Sequence, residues 1–138
     1  MQSGTNYISV RVFDNAGNSS TTIDAFFILK DTQAVIINNN QTGDNVWRSI
    51  NNGYYDIDAF TQGVSLLDKI QVRASTMPGN NGTFLIDWTD AVTNINSGSY
   101  TQNWKIPDIV FDSLLSGVTN YISVRVLNQA QVASVLSD

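Results

Sequence analysis

Thr5-Asn6-Tyr7-Ile8-Ser9-Val10-Arg11-Val12 recurs letter for letter as Thr119-Asn120-Tyr121-Ile122-Ser123-Val124-Arg125-Val126. Eight identical residues at an offset of 114 (119 − 5) do not arise by chance in a chain of 138. Self-similarity at a fixed spacing marks a unit repeated along a chain, and this spacing is that of one sandwich domain of about 100 residues. The predicted division is 1–29 as terminal strands of an adjoining repeat and 30–138 as one sandwich domain. Beyond Val12 and Val126 the copies part, with Phe13-Asp14-Asn15-Ala16-Gly17-Asn18 opposite Leu127-Asn128-Gln129-Ala130-Gln131-Val132. On the same alignment Asp138 corresponds to Asp24. Either a last strand is missing, or residues 132–136 take its place.

Hydrophobic periodicity predicts strands nearly throughout. Ile8, Val10 and Val12 alternate with Ser9 and Arg11, the period-two pattern of a half-buried strand. Asp14 to Asn18 is turn chemistry, with Gly17 free to take positive φ. Residues 21–30 are β-branched and aromatic and predict a strand, as do residues 35–37. Ile57 and Ala59 alternate with Asp56 and Asp58, and Ile70, Val72 and Ala74 with Gln71 and Arg73. Phe84, Ile86 and Trp88 form a further inward set, and Tyr100, Gln102, Trp104 and Ile106 another. One short helix is predicted, with Pro107 at its first position, Val110, Leu114 and Leu115 on one face, and Gly117 at its end. The sixteen Asn residues and the absence of Glu favour turns over helices.

Charge narrows the function classes. The net charge is −5 with only seven Lys and Arg and no basic run, which excludes nucleic acid as a partner and argues against anionic membrane surfaces. The apolar stretches 25–29 and 35–37 are far too short for membrane insertion. A hydrophobic content of 42% is enough for a core, and with no Cys that core must hold the fold without disulfides.

Two further segments carry a family resemblance. Leu115-Ser116-Gly117-Val118-Thr119-Asn120-Tyr121 resembles the corner that precedes a late strand in immunoglobulin-like and fibronectin type III-like domains. Val12-Phe13-Asp14-Asn15-Ala16-Gly17-Asn18-Ser19 resembles the turn between the last two strands of bacterial immunoglobulin-like repeats. With the exact octapeptide repeat, the chain is similar to the tandem modules of large bacterial surface proteins. The resemblance implies an all-β, immunoglobulin-like β-sandwich of about seven strands, with one short helix before a late strand. It also implies a structural or adhesive role at the bacterial cell surface, with neighbouring repeats or copies of the same chain as partners, and a surface glycan or protein as ligand.

Enzyme chemistry has little to work with. Without His, Cys or Glu the usual bases, nucleophiles and metal partners are missing, so no enzyme is expected. Asp56 with Asp58 and Asp87 with Asp90 are the nearest carboxylate pairs. No cofactor is expected either, although calcium suits oxygen-only ligands, and Asp14, Asn15, Asn18 and Asp31 are the candidate set. Trp47 and Tyr54 are the aromatics expected to be exposed, and so the candidates for stacking on carbohydrate. Trp88 and Trp104 are in phase with core positions. An open sheet edge would accept a strand from another copy in head-to-tail assembly, with Ile23, Ala25, Phe27 and Leu29 of the segment 22–30 as donated side chains.

Overall fold

The computed structural model describes residues 1–41 and 43–136. Thr42 and the last two residues of the expected sandwich lie outside the described residues. The elements in chain order are β1 (Gly4–Phe13), β2 (Ser19–Lys30), β3 (Val35–Asn39), β4 (Ile57–Thr61), β5 (Leu67–Met77), β6 (Asn81–Val92), β7 (Ser99–Tyr100), α1 (Asp108–Asp112), β8 (Tyr121–Asn128) and β9 (Ala133–Leu136). Strands β3 to β9 make the sandwich, with one sheet ordered β3-β4-β7 and the other β6-β5-β8-β9. Every ladder is antiparallel. Among the described residues, seven strands in two sheets with one short helix form the expected all-β sandwich.

One buried cluster joins the sheets. Val35, Ile57 and Ala59 come from the first and Leu67, Ile70, Val72, Ala74, Val124 and Val126 from the second. Val110 of α1 closes one side, fully buried. Trp104 is buried among them, and its indole N–H donates to the Ile57 carbonyl at 3.2 Å, which satisfies the one polar atom that burial would otherwise strand. The residues predicted to alternate on β4 and β5 do so.

Two expectations need correction. Helix α1 covers Asp108–Asp112 alone; Pro107 keeps an extended ψ of 147° as its N-cap and Ser113 ends it. Leu114 still packs on the core while Leu115 is exposed. On β6 the predicted inward set is broken, because the β5–β6 register shifts between Val72 and Ala74 and between Ala74 and Ser75. A bulge reverses the phase of every later side chain. Ile86 remains against the core, whereas Phe84 is exposed and Trp88 is only half-buried, held by arginines rather than by the core.

Strands β1 and β2 form a separate two-stranded sheet, and among the described residues their strong packing is only with each other. This hairpin reproduces the β8–β9 hairpin at the same offset of 114. Val10, Arg11, Val12 and Phe13 pair with Thr22, Thr21, Ser20 and Ser19; Val124, Arg125, Val126 and Leu127 pair with Leu136, Val135, Ser134 and Ala133. The turns match although their residues differ. The Asp14 N–H donates to the Asn18 carbonyl at 3.0 Å and the Asn128 N–H to the Val132 carbonyl at 3.1 Å. The Asp14 carboxylate accepts the Asn18 N–H at 2.8 Å, and the Asn128 amide oxygen accepts the Val132 N–H at 2.9 Å. Gly17 and Gln131 both take positive φ, at 86° and 62°. Asp and Asn serve alike here because each offers a short side-chain oxygen to its own turn.

Burial separates the copies. Val124 and Val126 are 2% and 0% exposed, while Val10 and Val12 are 41% and 64% exposed. The expected outcome of truncation follows from that contrast. Leu67→Ala, at a fully buried site, should cost about 3 kcal/mol in urea denaturation. Leu29→Ala, on the hairpin, should leave sandwich stability within about 0.5 kcal/mol.

Candidate functional site

The four candidate calcium ligands do not converge. Asp14, Asn15 and Asn18 sit at the turn of the first hairpin, whereas Asp31 lies at its base beside Ser3. The ten residues of β1 put about 33 Å between those ends. Among the described residues no group of three or more carboxylates is placed to hold a metal ion. The Asp14 carboxylate is instead committed to its turn, and the Asn18 amide that donates to it at 2.8 Å holds its pKa below the ordinary value.

Asp31 has a different role that the sequence did not disclose. It is 7% exposed and accepts the Ser65 hydroxyl at 2.6 Å, the Ser65 N–H at 2.9 Å and the Gln33 N–H at 2.9 Å. The Ser3 hydroxyl and the fully buried Asn128 amide approach it at 3.4 Å. One carboxylate therefore ties the base of the hairpin, the loop before β5 and the end of β8. These donors, the Ser65 hydroxyl first, lower its pKa from 3.8 to about 2. A Cβ on Gly63 would overlap this carboxylate, so glycine is required there by space.

Trp47 and Tyr54 are exposed as expected, at 79% and 67%. They belong to the loop between β3 and β4, which is held from within by polar contacts. The Arg48 guanidinium reaches Asp44 at 2.9 Å and the Asn52 side-chain amide oxygen at 2.6 Å, and the Tyr55 hydroxyl donates to Asp44 at 3.1 Å. Arg48 holds Asp44 below the ordinary carboxylate range, while burial pushes the Tyr55 phenol up. The Asn51 amide donates to Asp108 at 2.7 Å and to the Ile106 carbonyl at 2.8 Å, pinning the loop to the start of α1. With the loop so fixed, Val46, Trp47, Ile50 and Tyr54 are presented to solvent.

On the outer face of the four-stranded sheet a cation–aromatic ladder replaces the expected burial of Trp88. The Arg73 guanidinium lies 4.0 Å from the Phe84 ring centre and 4.5 Å from that of Trp88, and Arg125 lies 4.5 Å from Trp88 on its own account. Arg125 also donates to the Gln71 side-chain carbonyl at 2.9 Å, and Gln71 to Asp90 at 2.6 Å. Such contacts contribute about 0.5–2 kcal/mol each. The carboxylate pairs are placed in similar networks. Asp56 and Asp58 share the Asn40 amide at 3.1 Å, Asp90 meets Lys69 at 3.3 Å, and Asp87 meets Arg73 at 3.6 Å.

The candidate donor strand is exposed along its length, and a bulge breaks up the expected set of side chains. Between Ile8 and Val10 the register of β1 against β2 jumps, from Phe26 to Thr22, with Asp24 in the left-handed region at φ 51°. That bulge takes Ile23 and Ala25 out of regular alternation. Phe27 and Leu29 stand with Tyr7 on one face, the Tyr7 and Phe27 rings meeting edge-on at 6.4 Å. Phe26 and Ile28 share the other face with Ile8, Val10 and Val12. This second face corresponds to the buried face of β8. The octapeptide match was its signal, since Ile8, Val10 and Val12 repeat as Ile122, Val124 and Val126.

No protein-family model, no curated protein and no solved structure matches the chain. Among the described residues no helix is long and apolar enough to cross a membrane.

The Asp31 network generates a prediction with a definite sign. Its folded pKa is depressed, so its contribution is present above about pH 4 and is lost as pH falls through about 2. Asp31→Asn should be less stable than wild type at neutral pH by about 2 kcal/mol. Its denaturation midpoint should vary less than wild type's between pH 4 and pH 2. Gly63→Ala should be destabilised as well, by displacing the same carboxylate.

Proposed function

We propose that this chain is a structural or adhesive repeat module of an extracellular bacterial surface protein or filament, an immunoglobulin-like block that joins others of its own kind. The observation that carries this reading is the hairpin at β1–β2. It repeats the register and turn of β8–β9, yet among the described residues its core-type face (Ile8, Val10, Val12, Phe26 and Ile28) has no sheet to cover it. A face that is buried in one copy and open in the other is complementary to the sandwich of a neighbouring unit. Exposed apolar surface of this kind marks an interaction site. Location at the cell surface belongs to the same proposal and follows from the family resemblance.

A second reading is carbohydrate binding through Trp47 and Tyr54, favoured by their exposure on an internally braced loop. Rigid, exposed aromatic rings offer flat faces to sugar rings. A glycan array separates the two: binding lost in Trp47→Ala supports recognition, and no binding by either protein supports the structural role.

Sedimentation velocity at increasing concentration tests the primary reading. Wild type should self-associate. Val12→Lys combined with Phe26→Asp, at sites 64% and 51% exposed, should leave the circular dichroism unchanged. The pair should weaken association by at least about tenfold, since each buried apolar side chain is worth about 1.5–3 kcal/mol. A wild-type chain that stays monomeric at every concentration contradicts the proposal.

A further inference from the structure

The chain contains two Asn–Gly pairs, Asn52-Gly53 and Asn81-Gly82, and the fold treats them differently. An asparagine side-chain carbonyl followed by glycine is open to attack by the glycine's backbone nitrogen, because no Cβ shields that nitrogen. At Asn52 both reacting groups are prepared. The Arg48 guanidinium donates to the Asn52 side-chain oxygen at 2.6 Å, a short charge-assisted bond that draws electrons from the amide carbon. Arg48 is itself fixed by Asp44 at 2.9 Å, and the Asn52 N–H by the Ile50 carbonyl at 3.0 Å. Gly53 is buried against this network, and a Cβ there would lie 2.7 Å from the Tyr55 hydroxyl and 3.2 Å from Arg48 Nε. Its N–H makes no hydrogen bond among the described residues, so attack breaks none. Asn52 is exposed, so water reaches the site.

At Asn81 the polarisation is reversed. The side-chain amide donates to the Pro78 carbonyl at 3.0 Å, which ties down the group that must leave. Asn81 is also paired with Met77 at the start of β6, and the nearby Arg73 donates to Asn80 instead, at 2.9 Å.

We propose that Asn52-Gly53 is a self-modifying site with Arg48 as its catalytic residue. Base in the solvent removes the Gly53 N–H proton, and the nitrogen bonds to the Asn52 side-chain carbon. The carbonyl π electrons move onto the side-chain oxygen, where Arg48 meets the negative charge as a preorganised donor does for any tetrahedral intermediate. Collapse breaks the bond to the side-chain nitrogen, which leaves as ammonia with a proton from water. Water then opens the five-membered imide at either carbonyl, giving aspartate or isoaspartate at position 52. The net change is water consumed and ammonia released, with no oxidant or cofactor. Either product puts a second carboxylate beside Arg48, and isoaspartate also lengthens the main chain by a methylene just ahead of Tyr54. The modification therefore acts on the loop that presents both Trp47 and Tyr54.

Peptide mapping by mass spectrometry during incubation at neutral pH tests this, because both Asn–Gly pairs are followed in one sample. In the folded protein Asn52 should convert at least about tenfold faster than Asn81. In concentrated urea, where no fold distinguishes the pairs, the two rates should become alike. Arg48→Gln should slow Asn52 at least about tenfold and leave Asn81 unchanged. A guanidinium that only braced the loop would give the opposite sign, since freeing Asn52 would speed its reaction. Conversion of Asn52 no faster than that of Asn81 in the folded protein overturns the proposal. So does an Arg48→Gln rate at Asn52 that is unchanged or raised. The comparison of the two sites in wild type needs no variant, and decides the matter even where Arg48→Gln does not fold.

Discussion

A two-stranded antiparallel ribbon satisfies its inner backbone groups but covers neither its faces nor its outer edges. Everything distinctive about this chain follows from placing one hairpin in two settings. As β8–β9 it is flanked by β5, backed by β3, and buries Val124 and Val126. As β1–β2 the same octapeptide keeps its register and its turn while its valines face water. Local sequence specifies strand, turn and register; burial is supplied by whatever sheet lies alongside.

That division explains how much of the fold was legible. Alternation on β4 and β5 could be read directly because Ile57, Ala59, Ile70, Val72 and Ala74 lie on regular ladders. Trp88 was misplaced because the β6 bulges reverse side-chain phase without leaving a sign such as a glycine at the reversal. The expected donor set, Ile23, Ala25, Phe27 and Leu29, is the other parity of β2: pairing sets Phe26 opposite Ile8 and Phe27 opposite Tyr7, and alternation alone does not say which parity carries the core-type face. Asp31 was legible only as a carboxylate near a junction. Its donors come from Ser3, Gln33, Ser65 and Asn128, and only the fold brings residues so far apart in sequence to one point.

Asp31 also gives the junction its mechanical sense. It follows β2 immediately and is fastened to the loop before β5 and to the last residue of β8. A load carried from the hairpin into the sandwich would pass through short, charge-assisted hydrogen bonds to the strands that hold the core. The Arg48 network does the same for the β3–β4 loop, keeping Trp47 and Tyr54 outward. The proposed module is therefore firm where it joins its neighbour and apolar where it meets it.

Native-state hydrogen exchange on the dilute chain, read amide by amide across the two octapeptides, tests this account most directly. Amides of Val124 to Val126 should exchange only through global opening, and those of Val10 to Val12 through local opening at least about a hundredfold faster. Protection of the first octapeptide should rise with protein concentration while that of the second stays constant. Equal protection of the two at low concentration would contradict the claim that an adjoining sheet, rather than the repeated sequence, supplies the burial.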